Sequence, residues 1–309
     1  MLLLLFIIAF AASWWLRQHV RQQHPAVGQF VTVDGNRLHY LDSGVVDDEQ
    51  QPTLVLIHGA TGNLQDYKAS IFPELSQHYR VIAFDRPGLG YSERPSGSWV
   101  GPHEQAELIR AALQQLGIKK TVLLGHSWSG ALVLDYLLHH QDEVHAAVLL
   151  SPVSHAWSGG VSWYNYVQAV PVLREIFAYT VFPIVGWLGA DSGVREVFEP
   201  AVVTQNYRQE TALDLFFQPE LLLNNFQDLR LLNEFVTRLS IRYPQISTPV
   251  QIISGTDDTV VYSWNHSQRL NRELQQVEWL DFPQTGHAPH HTHKEKVVET
   301  ILNFLQKHQ

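Results

Sequence analysis

Short apolar segments alternate with segments of helical periodicity along most of this chain. Residues 53–57 read Thr-Leu-Val-Leu-Ile and run directly into His58-Gly59. A run that is apolar on both faces and ends at turn residues is typical of a central strand covered from both sides. Further predicted strands lie at 79–84, 121–124, 144–150, 250–253 and 277–280, and predicted helices at 104–116, 130–140, 263–272 and 295–305. This alternation predicts an α/β fold with a mostly parallel central sheet and helices on both faces.

Two parts of the chain depart from the alternation. Near the start, alternating runs at 30–33 and 37–41 flank an Asp-Gly pair, which is a hairpin signal. Between Pro152 and Pro244 aromatic residues and prolines are frequent, and helical patterns such as 219–225 and 231–241 occur without a clear strand. We predict a helical cap inserted after the sixth core strand, over the carboxyl ends of the strands. The predicted organisation is an N-terminal segment at 1–28, an α/β core at 29–152 and 245–309, and a helical cap at 153–244.

Composition excludes several kinds of protein. With 45% hydrophobic and 17% charged residues, the 309-residue chain has the make-up of a folded globular protein. The formal net charge is −9 and no Lys/Arg run exceeds two residues, so no nucleic-acid partner is expected. The absence of cysteine excludes disulfides, Cys-ligated zinc, iron–sulfur clusters and a thiol nucleophile.

The first residues form an uncharged apolar segment from Leu2 to Trp15. It is short for a membrane span, which needs about 20 residues, and long enough for a signal-peptide core. Ala9 and Ala11 would suit signal cleavage and export. An uncleaved anchor would explain the two tryptophans at 14–15 and the following arginines, which favour a cytoplasmic position for the rest of the chain. We expect the anchor, with export or a peripheral hydrophobic arm as alternatives, and residues 18–28 as a polar tether outside the fold.

A single serine stands where a predicted strand runs into a predicted helix. The segment 123–130 reads Leu-Leu-Gly-His-Ser-Trp-Ser-Gly and places Ser127 at the turn. It resembles the nucleophile elbow, Gly-x-Ser-x-Gly, of the α/β-hydrolases. In that elbow the residues two before and two after the serine must be small, because larger side chains would collide with the tight turn. Gly125 satisfies this requirement, whereas Ser129 replaces the second glycine.

The same resemblance implies the partners that a serine nucleophile needs. A hydroxyl is activated by a base, which an acid orients, and α/β-hydrolases place them in the order Ser, acid, His. Here Asp257 and Asp258 follow one predicted strand, and His287 follows the next. The family places the acid three residues after a glycine equivalent to Gly255, which selects Asp258 over Asp257. The implied triad is Ser127, Asp258 and His287.

Two backbone N–H groups should form an oxyanion hole. By resemblance they belong to Trp128, next to the nucleophile, and to Ala60, in the loop after the 53–57 strand. The loop from Asp85 to Ser92 also resembles the family, and we interpret it as a structural turn with a buried or paired Asp85. We predict no cofactor. We also predict no metal site, although His290, His291 and His293 lie close together in sequence.

The resemblance implies a serine hydrolase and leaves its substrate open. A serine nucleophile argues against epoxide hydrolases and haloalkane dehalogenases, which use aspartate, whereas carbon–carbon bond hydrolases and cofactor-free haloperoxidases share the triad. An aromatic cap would line an apolar pocket, so we expect an uncharged, hydrophobic carboxylic ester as substrate. A non-catalytic binding module is the remaining alternative. The aromatic residues of the predicted cap include Trp157, Trp163, Tyr164, Tyr166, Phe177, Trp187, Phe216 and Phe217.

Overall fold

The computed structural model describes residues 2–45, 51–95, 100–162, 165–166 and 170–308. Eight strands form one sheet in the order β1-β2-β4-β3-β5-β6-β7-β8. The strands are β1 (Gln29–Val33), β2 (Asn36–Asp42), β3 (Thr53–Ile57), β4 (Val81–Phe84), β5 (Thr121–His126), β6 (Val144–Leu150), β7 (Val250–Gly255) and β8 (Val277–Phe282).

Twelve α-helices accompany the sheet in the described part of the chain. They are α1 (Leu2–Gln23), α2 (Gln65–Lys68), α3 (Phe72–Leu75), α4 (Pro102–Gln115), α5 (Ser129–His140), α6 (Pro171–Ile176), α7 (Phe182–Phe198), α8 (Tyr207–Glu210), α9 (Pro219–Leu239), α10 (Ser267–Glu273), α11 (Pro289–Thr292) and α12 (Lys294–Lys307). A π-helical turn, Phe177–Val181, joins α6 to α7.

The sheet is antiparallel at one edge and parallel elsewhere. The β1–β2 hairpin and the β2–β4 pair are antiparallel, and strands β3 to β8 pair in parallel. All residues of β3, β4 and β5 are buried, because helices cover both faces of the sheet. One core includes Ile109 of α4 and Leu132 of α5, and the other includes Ile301 of α12. The predicted fold class is confirmed.

Between β6 and β7, the described residues contain helices and irregular segments but no strand. The two helical patterns predicted at 219–225 and 231–241 belong to one helix, α9. Helix α10 begins four residues later than its predicted start at Ser263. Trp163 and Tyr164 of the predicted cap lie outside the described residues, as do residues 46–50 between β2 and β3.

The helix Pro171–Phe198 was not predicted from the sequence. In the part of the chain that the structure describes, it is the one helix long and apolar enough to cross a membrane by length and composition, and it lies mid-chain. Pro171 stands in the first turn of this helix, where the missing N–H costs little, and Pro183 directly follows the π-helical turn, at the start of α7.

The prediction of a free polar tether at 18–28 is wrong. Residues up to Gln23 continue α1, and Leu16 and Val20 are buried against Ala212 and Leu215. Arg17 forms an ion pair with Glu220 at 2.9 Å. The N-terminal helix is therefore docked on the helices between β6 and β7. This docking could not be predicted, because α1 is apolar on nearly all sides at its start and shows no clear inward stripe.

Candidate active site

Ser127 lies in a tight turn between β5 and α5. Its backbone has a φ of +54°, in the left-handed region that is unfavourable for residues other than glycine. Ser127 N donates to Leu150 O, and Ser127 O accepts from Val153 N, both at 2.9 Å. A Cβ on Gly125 would lie 2.6 Å from Ser129 O, which explains the need for glycine there. The surrounding sheet thus holds the strained turn in place.

Ser129 occupies the position where the elbow pattern has its second glycine. Its Oγ donates to His58 O at 2.5 Å. His58 is the first residue after β3, so this hydrogen bond joins the start of α5 to the loop that follows β3. The departure from the pattern therefore supplies a contact that glycine could not make.

Asp258 and His287 meet although they lie on different loops. His287 Nδ1 donates to Asp258 Oδ2 at 2.7 Å, and both side chains are buried. The other carboxylate oxygen accepts from the N–H groups of Val260 at 2.9 Å and Val261 at 2.8 Å. The neighbouring Asp257 is exposed. Asp258 is thus the acid positioned to hold the imidazole, with its own orientation fixed by backbone donors.

The Ser127 side chain is nearly buried, with 8% exposure. Among the described residues its hydroxyl makes no hydrogen bond with His287 or any other group. Serine–histidine bonds of this kind are often long outside the Michaelis complex. The structure therefore joins the proposed acid and base directly and leaves the serine hydroxyl uncommitted.

The loop after β3 approaches the serine closely. A Cβ on Gly59 would lie 3.0 Å from Ser127 Cβ. Within the described ranges, the backbone N–H groups of Ala60 and Trp128 donate to no other protein group. Two donors beside the serine hydroxyl are the arrangement that stabilises a tetrahedral oxyanion.

Arg86, which the sequence analysis treated only as part of a structural turn, lies directly behind this loop. Its side chain is fully buried, and its guanidinium donates to Gly59 O at 3.2 Å and stacks 3.5 Å from the centre of the Trp128 ring. It forms an ion pair with Asp228 of α9. Burial lowers the pKa of Arg86 to about 10, against the opposing effect of Asp228. Because Gly59 O and Ala60 N–H belong to one peptide group, Arg86 contacts the peptide that carries one proposed oxyanion donor and the side chain of Trp128, whose backbone N–H is the other.

The helices between β6 and β7 are fastened to two loops of this site. Asn225 Oδ1 accepts from Thr61 N at 2.9 Å, next to Ala60. Val197 O accepts from His287 N at 2.8 Å. These contacts bridge more than 80 residues of sequence, so no local pattern could have predicted them.

A buried cluster of imidazoles lies next to His287. His126 Nε2 donates to His287 O at 3.0 Å, and Asp66 accepts from His290 at 2.9 Å and from His291 at 2.8 Å. Burial lowers the pKa values of His126 and His290, and the two imidazoles hold the pKa of Asp66 well below its usual range.

Asp66, His126 and His290 are residue types that can hold a metal ion, and their ligand atoms lie within 4.8 Å of one another. Both oxygens of Asp66, however, already accept imidazole N–H groups. We therefore interpret the cluster as a hydrogen-bonded support of the His287 loop. Asp85 plays a similar supporting role: it is buried and accepts from His39 Nδ1, Leu64 N and Tyr91 N, each at 2.7 Å, which confirms its prediction as a paired residue.

One cavity of the described structure lies away from these residues. It encloses about 800 Å³ between α1, the loop after β4 and α9. Its lining carries five arginines and two glutamates, which are Arg17, Arg21, Arg37, Arg94, Arg174, Glu93 and Glu220. This cavity is basic, and it contains none of Ser127, Asp258 and His287.

A sequence profile described as the alpha/beta hydrolase fold matches residues 52–294. The chain belongs to the α/β-hydrolase fold family. It is 25% identical over 296 residues to a 2-hydroxy-6-oxo-2,4-heptadienoate hydrolase of Pseudomonas putida, an alignment that spans 90% of this chain and 96% of that protein. It is also 25% identical over 287 residues to a candidate non-heme chloroperoxidase of Synechocystis sp., spanning 90% and 99% of the two chains.

Two solved structures extend the comparison to esterases and lipases. A thermophilic esterase from Thermogutta terrifontis superposes with a TM-score of 0.71 at 20% identity, covering 91% of this α/β hydrolase and 99% of the esterase. A membrane phospholipase A superposes with a TM-score of 0.71 at 20% identity, covering 97% and 92% of the two chains. At such identities these structures show the fold of this hydrolase and not its reaction.

Proposed function

We propose that this α/β hydrolase is a serine hydrolase that cleaves an uncharged, hydrophobic carboxylic ester through an acyl-enzyme. The observation that carries the proposal is the buried His287–Asp258 pair on the same rim of the sheet as the strained Ser127 turn. The strain at Ser127 is the cost of projecting a hydroxyl above a sheet edge, and such strain is typical of functional positions.

In the proposed reaction, His287 accepts the Ser127 proton as Oγ attacks the ester carbonyl carbon. The oxygen of that carbonyl becomes an oxyanion between the N–H groups of Ala60 and Trp128. His287 then donates its proton to the alcohol oxygen, which leaves. Water, deprotonated by His287, attacks the acyl-enzyme and releases the carboxylic acid. Asp258 holds the imidazole with Nδ1 protonated, so that Nε2 is the basic nitrogen.

The preference for an ester over other bonds rests on the aromatic residues of the segment between β6 and β7, which favour an apolar pocket for the substrate. A second candidate is carbon–carbon bond hydrolysis, favoured by the 2-hydroxy-6-oxo-2,4-heptadienoate hydrolase among the relatives. The similarity to a candidate non-heme chloroperoxidase of Synechocystis sp. favours peroxidase-type chemistry as a further alternative. Ester hydrolysis, carbon–carbon bond hydrolysis and peroxidase-type chemistry would all use Ser127. A non-catalytic binding role would not need the triad.

We further propose that α1 attaches the enzyme to a membrane. The support is the apolar surface of α1 and the description of one structural neighbour as a membrane phospholipase. The arginines that follow the apolar residues favour a cytoplasmic position of the catalytic domain, which remains a proposal.

The test is hydrolysis of p-nitrophenyl esters of increasing acyl length by the full chain in detergent micelles. Full-length protein is needed because α1 packs on the rest of the fold. Ser127→Ala should lower kcat by several orders of magnitude without unfolding the protein, as losses of triad members do. Labelling with a fluorophosphonate should occur on the wild type and disappear in Ser127→Ala.

The control and the alternatives use the same preparation. Asp257→Asn removes an exposed carboxylate beside the proposed acid and should leave turnover unchanged. Wild-type protein that labels at Ser127 but hydrolyses only a 2-hydroxy-6-oxo-dienoate would replace the ester proposal with carbon–carbon hydrolysis. Folded protein that neither labels nor turns over any of these substrates would refute a serine hydrolase.

A further inference from the structure

Helix α1 is apolar on the side that faces away from the protein. Its inner side is already packed, since Ser13, Leu16 and Val20 are buried. A surface helix of a water-soluble protein normally presents polar residues on the opposite side. Here the outer side carries large exposed hydrophobic residues, which are Leu4, Ile7, Ile8, Trp14 and Trp15. We call these five the outer face of α1.

The neighbouring helix 171–198 has a second exposed apolar stripe. Within its most hydrophobic segment, only 17% is buried inside the protein. Besides Val172 and Trp187, five exposed apolar residues follow one another at steps of three, five, four and three positions, and they are Leu173, Ile176, Val181, Val185 and Leu188. We call this set the cap stripe.

The cap stripe keeps to one side of the helix because of its π-helical turn. Steps of three and four residues follow the 3.6-residue period of an α-helix. The step of five coincides with the turn 177–181, where an extra residue per turn is accommodated. Without that turn, Val181 and the residues after it would be rotated away from Leu173 and Ile176.

The outer face of α1 and the cap stripe belong to helices in direct contact. The rings of Phe10 and Tyr179 stack with centroids 6.5 Å apart. Ten large hydrophobic side chains on two adjoining helices therefore point to solvent. Monomeric soluble proteins seldom expose apolar surface on this scale unless it binds something.

We propose that the outer face of α1 and the cap stripe together form one membrane-facing surface, occupied by a lipid bilayer. At 1.5 Å per residue, the uncharged residues 2–16 of α1 measure about 22 Å, which is short of the roughly 30 Å of a bilayer hydrocarbon core, so α1 enters the apolar layer without crossing it. Trp14 and Trp15 lie where an interfacial aromatic belt is expected, and Arg17 and Arg21 follow them. A protein partner would not require this order of residues.

The charges at the end of α1 fit the lipid headgroups. Four of the five arginines that line the cavity beside it already pair with carboxylates, whereas Arg21 donates to the side chain of Gln218. A guanidinium that pairs with no carboxylate among the described residues, next to an apolar surface, is complementary to anionic phospholipid headgroups. The whole helix 171–198 is long enough to cross a bilayer, but Glu175 and Asp191 leave between them an uncharged stretch of only about 22 Å, which is as short as that of α1. The cap helix therefore lies in the interfacial layer rather than spanning the membrane.

This placement brings the membrane to the candidate active site. The cap helix ends at Phe198, and Val197 O accepts the backbone N–H of His287. If the proposed function holds, an ester dissolved in the bilayer would reach Ser127 along this helix, whereas a water-soluble ester would not need the membrane.

The absence of cysteine permits a direct test with single-cysteine variants of the full chain. Ile7→Cys reports on α1, Leu188→Cys on the cap stripe, and Ile241→Cys is the matched control in the turn that leads into β7. Ile241 and Leu188 are comparably exposed, at 79% and 70%. Each variant is labelled with an environment-sensitive fluorophore and reconstituted into vesicles of phosphatidylcholine and phosphatidylglycerol.

We expect labels at 7 and 188 to shift to the blue and to lose fluorescence to spin-labelled lipids, and the label at 241 to remain accessible to an aqueous quencher. A label at 188 that is as accessible as the label at 241, while the label at 7 is quenched by lipid, would overturn the proposal and leave α1 as the only attachment. A label at 188 that is shielded between protein copies, and insensitive to spin-labelled lipid, would overturn it in favour of a second copy of this chain.

A functional readout separates this inference from the proposed chemistry. Leu188→Asp should lower turnover of an ester embedded in vesicles and leave turnover of a short soluble ester unchanged. Equal loss on both substrates would show damage to the fold rather than to membrane contact, and no loss on either would contradict the role of the cap stripe. The fluorescence experiment needs no hydrolysis, so its outcome stands even if the proposed function fails.

Discussion

Replacing Asp228 by asparagine should destabilise the protein more than any other single charge removal on α9. The Asp228 carboxylate pairs with the fully buried Arg86 and with Arg94, whose Nη2 lies 2.7 Å from Oδ1, and Gln105 donates to it at 3.3 Å. Removing one partner of a buried pair costs about 3–5 kcal/mol, because the other charge stays buried without compensation. We therefore expect Asp228→Asn to lower the free energy of unfolding by about that amount.

The same helix provides a matched control. Glu234 pairs with Arg238 at 2.8 Å, but both side chains are about two-thirds exposed, at 69% and 66%. Such surface pairs contribute about 0.3–0.5 kcal/mol, so Glu234→Gln should be nearly neutral. Urea unfolding of both variants in the same detergent, followed by circular dichroism, measures the difference. A loss below about 1 kcal/mol for Asp228→Asn would refute the reasoning, and would mean that Gly59 O, Gln105 and the Trp128 ring compensate Arg86 without a counter-ion.

Three further predictions concern the turn, the acid and the response to pH. Gly125→Ala should abolish activity and destabilise the fold, because the added Cβ would lie 2.6 Å from Ser129 O; ester turnover and thermal unfolding measure both effects. Asp258→Asn should reduce kcat by about 10⁴-fold, since asparagine favours the wrong imidazole tautomer, and should leave KM little changed in a steady-state assay. Burial lowers the pKa of His58 to about 4 from an ordinary 6.5, so the unfolded chain binds a proton that the folded chain does not. The free energy of unfolding should therefore fall by about 3 kcal/mol from this group as the pH drops from 6.5 to 4, and His58→Gln should flatten that part of a urea-unfolding series.

The catalytic half of the site could be predicted because its signals are local. Each proposed triad residue follows an apolar run that ends at glycine or another small residue, and parallel strands bring their carboxyl ends to one rim of the sheet. The position of Ser127 in its turn and the hydrogen bond between Asp258 and His287 follow from this geometry. The prediction of the triad therefore rested on the order of its residues in the chain and on their positions just after strands.

The residues that support the site from behind could not be predicted, because their contacts depend on tertiary packing and not on a local sequence pattern. Arg86 and Asp228 are separated by 142 residues, and neither stands in a pattern that names the other. The docking of α1 was missed for a different physical reason. A helix that is apolar on both its inner and its outer face has no amphipathic period, so the sequence analysis predicted a membrane segment and not its contact with the cap.

The contacts of the cap indicate which part of it can move. Helix α9 is held to the core by the ion pair of Asp228 with Arg86 and by the bond between Asn225 and Thr61, and separating the buried pair would cost several kcal/mol. The C-terminal end of helix α7 contacts the base loop through the hydrogen bond from His287 N to Val197 O and through buried Phe198, which packs against Ala288 and His291. The first part of α7 carries the exposed apolar residues Val185 and Leu188 instead. Opening for substrate should therefore occur at the first part of α7 while α9 stays fixed. Since α7 carries the proposed membrane-facing stripe, the side of the cap that is easiest to displace is also the side from which a hydrophobic ester would arrive.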